Sequence, residues 1–349
     1  MLSTQLLIIF LIPTVLLLAC IGYLTFRYVP IVSRIFEEKP LFHPLRLDPP
    51  GEGENVVFPS MDGTRLHGTY LHARTPRRKG VIVFCHEFLS DRWSYQPYVD
   101  HLRDEGFDLF TLDFCHHGES DDQDGYEPLQ WVTRHEVRDL RAALAYLWSR
   151  PDRDEAGFGL FGVSRGGSTA LCVAANDPRI WGVVTDGAFP THGTMMAYIH
   201  KWSQIYIHSE SIFKLLPMFV FHYLAWAGRV RSQARLGCRY PHVEHAVRRL
   251  APRPWLAIHG ERDVYIGPDI ARSMFEQAGE PKVLWLVPGA KHNQSRVVDQ
   301  EGYAARISQF FHDHAPRLAG MNLEREGVKS NPGRTLVHTP PSLAVSVSH

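Results

Sequence analysis

The chain has 349 residues, 44% of them hydrophobic and 21% charged, with 37 Lys and Arg balanced by 37 Asp and Glu. That balance leaves no electrostatic footprint for nucleic acid, and the composition is that of a globular protein with material for one large core. The five cysteines (Cys20, Cys85, Cys115, Cys172, Cys238) include no C-x-x-C pair, and the twenty histidines show no H-E-x-x-H spacing. Neither a disulfide framework nor a metal site is indicated, and no cofactor is expected.

Residues 1–26 carry no charged side chain, and Leu6 to Phe26 is almost continuously apolar. About 20 such residues cross the hydrocarbon core of a bilayer as a helix, and Pro13 is tolerable within it. A cleaved signal peptide normally has a basic n-region and a shorter apolar core. Lipoprotein processing at Cys20 is disfavoured because the apolar run continues beyond it. Residues 1–40 therefore read as an uncleaved single-pass membrane anchor with its connector. Arg27, Arg34 and Lys39 follow the span and no basic residue precedes it, which favours a cytoplasmic location for the remainder. Five cysteines without an evident pairing scheme agree with that side.

From a Pro-rich connector onward, strands alternate with helices. Val56-Val57-Phe58, the Asp62-Gly63 turn and Leu66 to Leu71 predict an antiparallel hairpin. Val81 to Cys85 and Leu109 to Phe114 predict buried strands, with a helix between them around Gln96 to Glu105. Thr133 and Glu136 have capping-box spacing, and Val137, Leu140, Leu144 and Leu147 share one helical face. Strands follow at Phe158 to Val163, Trp181 to Thr185, Pro254 to His259 and Val283 to Val287, with helices at Pro268 to Ala278 and Gly302 to His312. This alternation predicts an α/β fold: a mostly parallel, doubly wound sheet with an antiparallel start.

Gly162-Val163-Ser164-Arg165-Gly166 lies where the Phe158–Val163 strand gives way to a small-residue helix. A serine on such a sharp turn exposes its hydroxyl, and the flanking glycines remove side chains that would clash there. With this motif in place the chain resembles a serine hydrolase of the α/β-hydrolase fold, of the serine aminopeptidase and esterase-like branch, over roughly residues 52–316. The resemblance implies a triad in the order nucleophile, acid, histidine. Trp255 to Asp263 resembles the strand ending in H-G-x-x-D, and Pro288-Gly289-Ala290-Lys291-His292 resembles the histidine loop. Ser164, Asp263 and His292 are the implied catalytic residues, with Glu261 as a spare acid. A base must take the hydroxyl proton before serine becomes a good nucleophile, and the carboxylate fixes the imidazole tautomer.

The resemblance also implies an oxyanion hole built from the backbone N–H groups of Phe88 and Arg165. Relatives usually read H-G-F where this chain has His86-Glu87-Phe88. A carboxylate aimed at a developing oxyanion opposes the reaction, so Glu87 is expected to face away, toward Arg165. Asp113 to Ser120 resembles the D-x-R-G-H-G-x-S loop, with Cys115 and His116 in the Arg and Gly places. The loop is assigned no catalytic role, and Cys115 is at most a pocket-lining thiol.

Residues 190–245 are too long for a simple connection and fit a helical cap insertion in the hydrolase domain of residues 41–317. Met195, Tyr198, Ile199, Trp202 and the apolar run Ile212 to Trp226 lie in it, as expected of a lid over an apolar acyl pocket. Residues 318–349 read as a disordered tail. The favoured function is hydrolysis of a small-molecule ester, thioester or small amide with an apolar acyl group, by a membrane-bound enzyme that does not engage nucleic acid. A serine peptidase and a non-catalytic binding protein of the same fold stay open. A dehalogenase would need Asp at position 164.

Overall fold

The computed structural model describes residues 2–39, 44–206, 215–316 and 336–337. Eight strands form the central sheet: β1 (Glu54–Pro59), β2 (Arg65–Leu71), β3 (Gly80–Cys85), β4 (Phe107–Leu112), β5 (Phe158–Val163), β6 (Ile180–Asp186), β7 (Trp255–Gly260) and β8 (Lys282–Val287). Their spatial order is β8-β7-β6-β5-β3-β4-β2-β1. The pairs β1–β2 and β2–β4 are antiparallel, and the pairs from β4 through β3 and β5 to β8 are parallel. Beyond them only Leu336–Val337 of the tail is described, alongside β1; the rest of residues 317–349 lies outside the described residues.

The strands at the centre are buried on both faces, as their continuous apolar runs require. Helix α1 (Leu2–Glu37) comes before the sheet. The predicted helix around residues 96–105 is instead a 3-10 turn Arg92–Tyr95, a short α2 (Gln96–Val99) and a second 3-10 turn Asp100–Arg103. Val99 leaves the helical region at φ −136°, and with that break Tyr95, Tyr98, Val99 and Leu102 all bury against the sheet. Helix α3 (Arg134–Ser149) has the capping box of Thr133 and Glu136 and buries Val137, Leu140, Leu144 and Leu147. Helix α4 (Arg165–Ala174) leaves β5 directly. The cap consists of α5 (Thr191–Tyr206), α6 (Met218–Arg235) and α7 (Val243–Val247); residues 207–214 between the first two lie outside the described residues. Helices α8 (Pro268–Glu276), α9 (Ser295–Val298) and α10 (Gln300–His314) complete the chain order.

Helix α1 has 36 residues, a length of about 54 Å at 1.5 Å per residue. It is long and apolar enough to cross a membrane, with an 18-residue window of mean hydropathy 1.9 within Phe10–Glu37. In the first part of α1, among the described side chains, Phe10, Leu11, Leu18 and Phe26 are exposed. Its last three turns are not a free connector. Val29, Val32 and Phe36 are buried, Phe36 stacks on Tyr240 at 4.8 Å and packs on Trp131 at 4.9 Å, and Trp131 Nε1 donates to the Ile35 carbonyl at 3.1 Å. Gly228 of α6 lets the two helices meet, since a Cβ there would stand 2.5 Å from Val32 Cγ1.

The buried part of α1 begins near residue 28. Deleting residues 1–22 should leave a folded domain, whereas deleting residues 1–40 removes Val29, Val32 and Phe36 from the core. Phe36→Ala alone should cost about 3–5 kcal/mol, read as a lower midpoint in thermal unfolding. An unchanged midpoint would show that the helix end carries no core weight.

Candidate active site

The turn after β5 places Ser164 at φ 50° and ψ −116°, outside the regions that residues with a Cβ ordinarily occupy. Two glycines permit it. A Cβ on Gly162 would stand 2.6 Å from the Gly166 carbonyl oxygen, and one on Gly166 would stand 2.2 Å from the Cys85 carbonyl oxygen and 2.5 Å from that of His86. The turn is also tied to β6, because the Ser164 N–H donates to the Asp186 carbonyl at 2.7 Å.

Asp263 lies just beyond β7 and His292 beyond β8. Gly260 lets these loops touch, since a Cβ there would stand 2.5 Å from the Ala290 carbonyl oxygen. The Asp263 carboxylate accepts the Tyr265 and Ile266 N–H groups through Oδ1, each at 2.9 Å. Its Oδ2 is 2.6 Å from His292 Nδ1, and His292 Nε2 is 2.9 Å from Ser164 Oγ. Burial pushes the Asp263 carboxyl up, but the hydrogen bond and charge of His292 outweigh it and hold the group below the usual carboxylate range. An ionised Asp263 requires the proton on Nδ1, which leaves Nε2 bare to accept the Ser164 hydroxyl proton. The three residues separated in sequence therefore meet in one hydrogen-bonded line, and that line can turn the hydroxyl into a nucleophile. Glu261, the spare acid, is exposed.

Phe88 and Arg165 come from neighbouring turns. Arg165 is the first residue of α4, so its N–H has no intrahelical acceptor and points along the positive end of the helix dipole. The close approach of Gly166 to the Cys85 and His86 carbonyls brings the loop carrying Phe88 beside that helix start.

The expected pairing of Glu87 with Arg165 is not formed. Arg165 donates to the Leu129 carbonyl and to His117 Nε2, both at 3.0 Å, and lies 3.5 Å from Glu136 Oε1. Arg165 and Glu136 are both fully buried, and a buried charge needs an ionised partner more than it needs a second hydrogen bond. Glu87 turns the other way, with Ser94 Oγ at 3.5 Å. Burial pushes its carboxyl up to about 7, with its own backbone N–H and the Arg296 charge opposing the shift. Cys115 is buried, with its N–H donating to Asp139 at 3.0 Å, and it is not among the residues that line the cleft at His292.

Sequence reasoning missed Asp186 at the end of β6. It is fully buried and accepts hydrogen bonds from Ser295 Oγ and Tyr303 Oη, each at 3.0 Å. Burial pushes its carboxyl up to about 6. An Asp at the end of the strand next to the one that carries the acid was its only signal. The cleft beside the site was also missed in part. It has a volume of about 1030 Å³ and is lined by His292, by cap residues such as Ile199, Trp202 and Val220, and by Leu24 and Ile31 of α1.

The fold and site define a class, and comparison with known proteins agrees. The esterase Pf2001 of Pyrococcus furiosus superposes with a TM-score of 0.58 at 19% identity, covering 80% of this chain and 100% of that one. The α/β hydrolase GrgF of Penicillium sp. sh18 does so with a TM-score of 0.56 at 20% identity, covering 76% and 99%. In sequence, the YfhR protein of Escherichia coli (strain K12) is 25% identical over 248 residues, 70% of this chain and 74% of that one. The chain has the α/β-hydrolase fold. Within that class, the serine aminopeptidase S33 family profile matches residues 76–247.

Glu87 gives a stability signature. Its carboxyl titrates at about 7 in the fold against 4.5 for the free group, so the fold favours the protonated form. That contribution is complete below pH 4.5 and is lost as pH rises through about 7. Glu87→Gln should therefore stabilise the protein relative to wild type at pH 8, by at most about 3 kcal/mol, and much less at pH 4.5. Parallel thermal unfolding curves at the two pH values check the difference, and an equal gain at both would reject the buried protonated carboxyl.

Proposed function

We propose that this protein is a membrane-anchored serine hydrolase that cleaves an ester, thioester or small amide of an apolar acyl group. The observation that carries the reading is the line from Ser164 Oγ through His292 to Asp263, at 2.9 and 2.6 Å. His292 Nε2 takes the Ser164 proton as Oγ bonds to the substrate carbonyl carbon. The carbonyl oxygen becomes an oxyanion held by the Phe88 and Arg165 N–H groups. The imidazolium then gives its proton to the leaving oxygen, sulfur or nitrogen as that bond breaks, leaving an acyl-Ser164 enzyme. Water repeats the sequence: His292 takes its proton, its oxygen attacks the acyl carbon, and the proton returns to Ser164 as the acid departs.

The serine aminopeptidase profile favours a second reading, a peptidase of the same mechanism. An aminopeptidase needs an anionic contact for the substrate ammonium. Among the described residues lining the cleft, the only carboxylate is that of Glu38, on an exposed residue. The apolar lining fits an acyl group better. Ser164→Ala should abolish both ester hydrolysis and covalent labelling by a fluorophosphonate while the fold persists, and His292→Ala and Asp263→Asn should each lower kcat by about 10⁴-fold. Equal labelling of wild type and Ser164→Ala would overturn the reading. Turnover of aminoacyl amides but not acyl esters would select the peptidase.

The apolar part of α1 supports a single-pass anchor, and Arg27, Arg34 and Lys39 after it favour the cytoplasmic side for the hydrolase domain. Protease added to intact cells should spare the domain and digest it after lysis; digestion without lysis reverses the orientation.

A further inference from the structure

Helix α1 is longer than a bilayer needs. About 20 of its 36 residues suffice for a hydrocarbon core of roughly 30 Å. The remaining turns run without interruption into the domain, where Val29, Val32 and Phe36 are core residues. A span formed by the apolar part would therefore hold the domain against the membrane surface with no slack.

The cleft at His292 opens along this same helix. One wall is Tyr23, Leu24 and Ile31 of α1, and the other is Ile199, Trp202 and Val220 of the cap. Its volume of about 1030 Å³ is at the upper end of small-molecule sites, which run from roughly 300 to 1,000 Å³. Helices α1 and α6 meet at the edge of the cleft, at Val32 against Gly228 and through the hydrogen bond between Thr25 and Tyr223, and Val32 lines the cleft as well. The surroundings are apolar and exposed: Phe219, Trp226 and Val264 are 69%, 55% and 75% exposed. Aromatic and aliphatic side chains of this kind, next to a helix long enough to span, suit the interface of a bilayer. Arg27 and Lys201 line the cleft as well, where cations meet lipid headgroups.

We infer that α1 is part of the substrate site as well as an anchor: the substrate is a long-chain acyl lipid taken from the bilayer, its chain lying between α1 and the cap with its carbonyl at Ser164. This rests on the serine hydrolase reading and adds the acyl length, the source and the wall. A burial of about 0.8 kcal/mol per methylene corresponds to a gain of up to about 4-fold in kcat/KM for each one seated.

The test uses the full chain in phosphatidylcholine vesicles with p-nitrophenyl acetate, octanoate and palmitate. Fluorophosphonate labelling of wild type and Ser164→Ala serves as an independent check of the nucleophile. The palmitate-to-acetate ratio of kcat/KM should be large in wild type and fall at least tenfold in Ile31→Trp, which fills the cleft from the α1 side. Leu18→Trp, on the exposed apolar part of α1 and away from the cleft, should not change that ratio. Should Ile31→Trp fail to fold, Ile31→Ala reads the same wall by removing atoms and should lower the ratio several-fold. A flat or short-chain profile in protein that labels at Ser164 overturns this inference and leaves the hydrolase reading intact, as does a ratio unmoved by either folded Ile31 variant. Absence of both labelling and ester turnover in wild type removes the two together.

Discussion

A backbone conformation near φ 50° and ψ −116° at Ser164 costs roughly 1–3 kcal/mol for a residue with a Cβ. It persists because the surrounding structure leaves no alternative. The helix that begins at Arg165 lies so close to the end of β3 that only glycine fits at position 166, against the Cys85 and His86 carbonyls. That one approach sets the turn in which the Ser164 hydroxyl meets His292 Nε2 at 2.9 Å and puts Arg165 at the first position of the helix. It also draws the loop carrying Phe88 alongside. The parallel sheet supplies the remainder, since β7 and β8 end on the same edge and deliver Asp263 and His292 to the same point.

Around this turn the interior holds several buried charges, and they are paired in ways that shape loops. Arg92 is buried and ion-pairs with Asp113, whose carboxylate also accepts the Arg92 and Glu119 N–H groups at 2.7 and 3.0 Å. Gly118 makes room for it, since a Cβ there would stand 2.3 Å from that carboxylate. Arg165 and Glu136 form a second pair, joined by Tyr126 Oη donating to Glu136 at 2.6 Å. Breaking one partner of such a pair leaves an uncompensated charge in a low dielectric. These networks therefore specify loop geometry beside the site more than they add stability. His117 belongs to one of them: it accepts from Arg165 at Nε2, so its Nδ1–H donates to the Cys115 carbonyl at 2.9 Å. Burial and the neighbouring Arg165 charge keep its pKa well below the ordinary histidine value.

The first helix joins two environments. Its apolar part has the length and exposure of a span, and its last turns have the burial of a core element. Stacking of Phe36 between Tyr240 and Trp131 ties it to both the cap and the segment before α3. The cap, the cleft and the helix consequently act as one packing unit.

Local patterns were legible in the chain because they depend on near neighbours. The apolar runs of β3 to β8, the capping box at Thr133 and Glu136, and the G-x-S-x-G turn each follow from residues within a few positions of one another. The break at Val99 was not, because burying Tyr95, Tyr98 and Leu102 on one sheet face overrides the helical pattern. The order Ser164, Asp263, His292 was readable, but the distances that make it a hydrogen-bonded line exist only once β5, β7 and β8 lie side by side. The partner of Arg165 was decided by which carboxylate is buried beside it, so Glu136 won over the nearer-reading Glu87. The place of α1 in the cleft wall was decided the same way. By itself the sequence determined a helix long and apolar enough to span, a sheet and a G-x-S-x-G turn, which are set by composition and short-range sterics. Tertiary structure alone decided which buried charges pair and that α1 borders the site, because those depend on contacts between residues far apart in the chain.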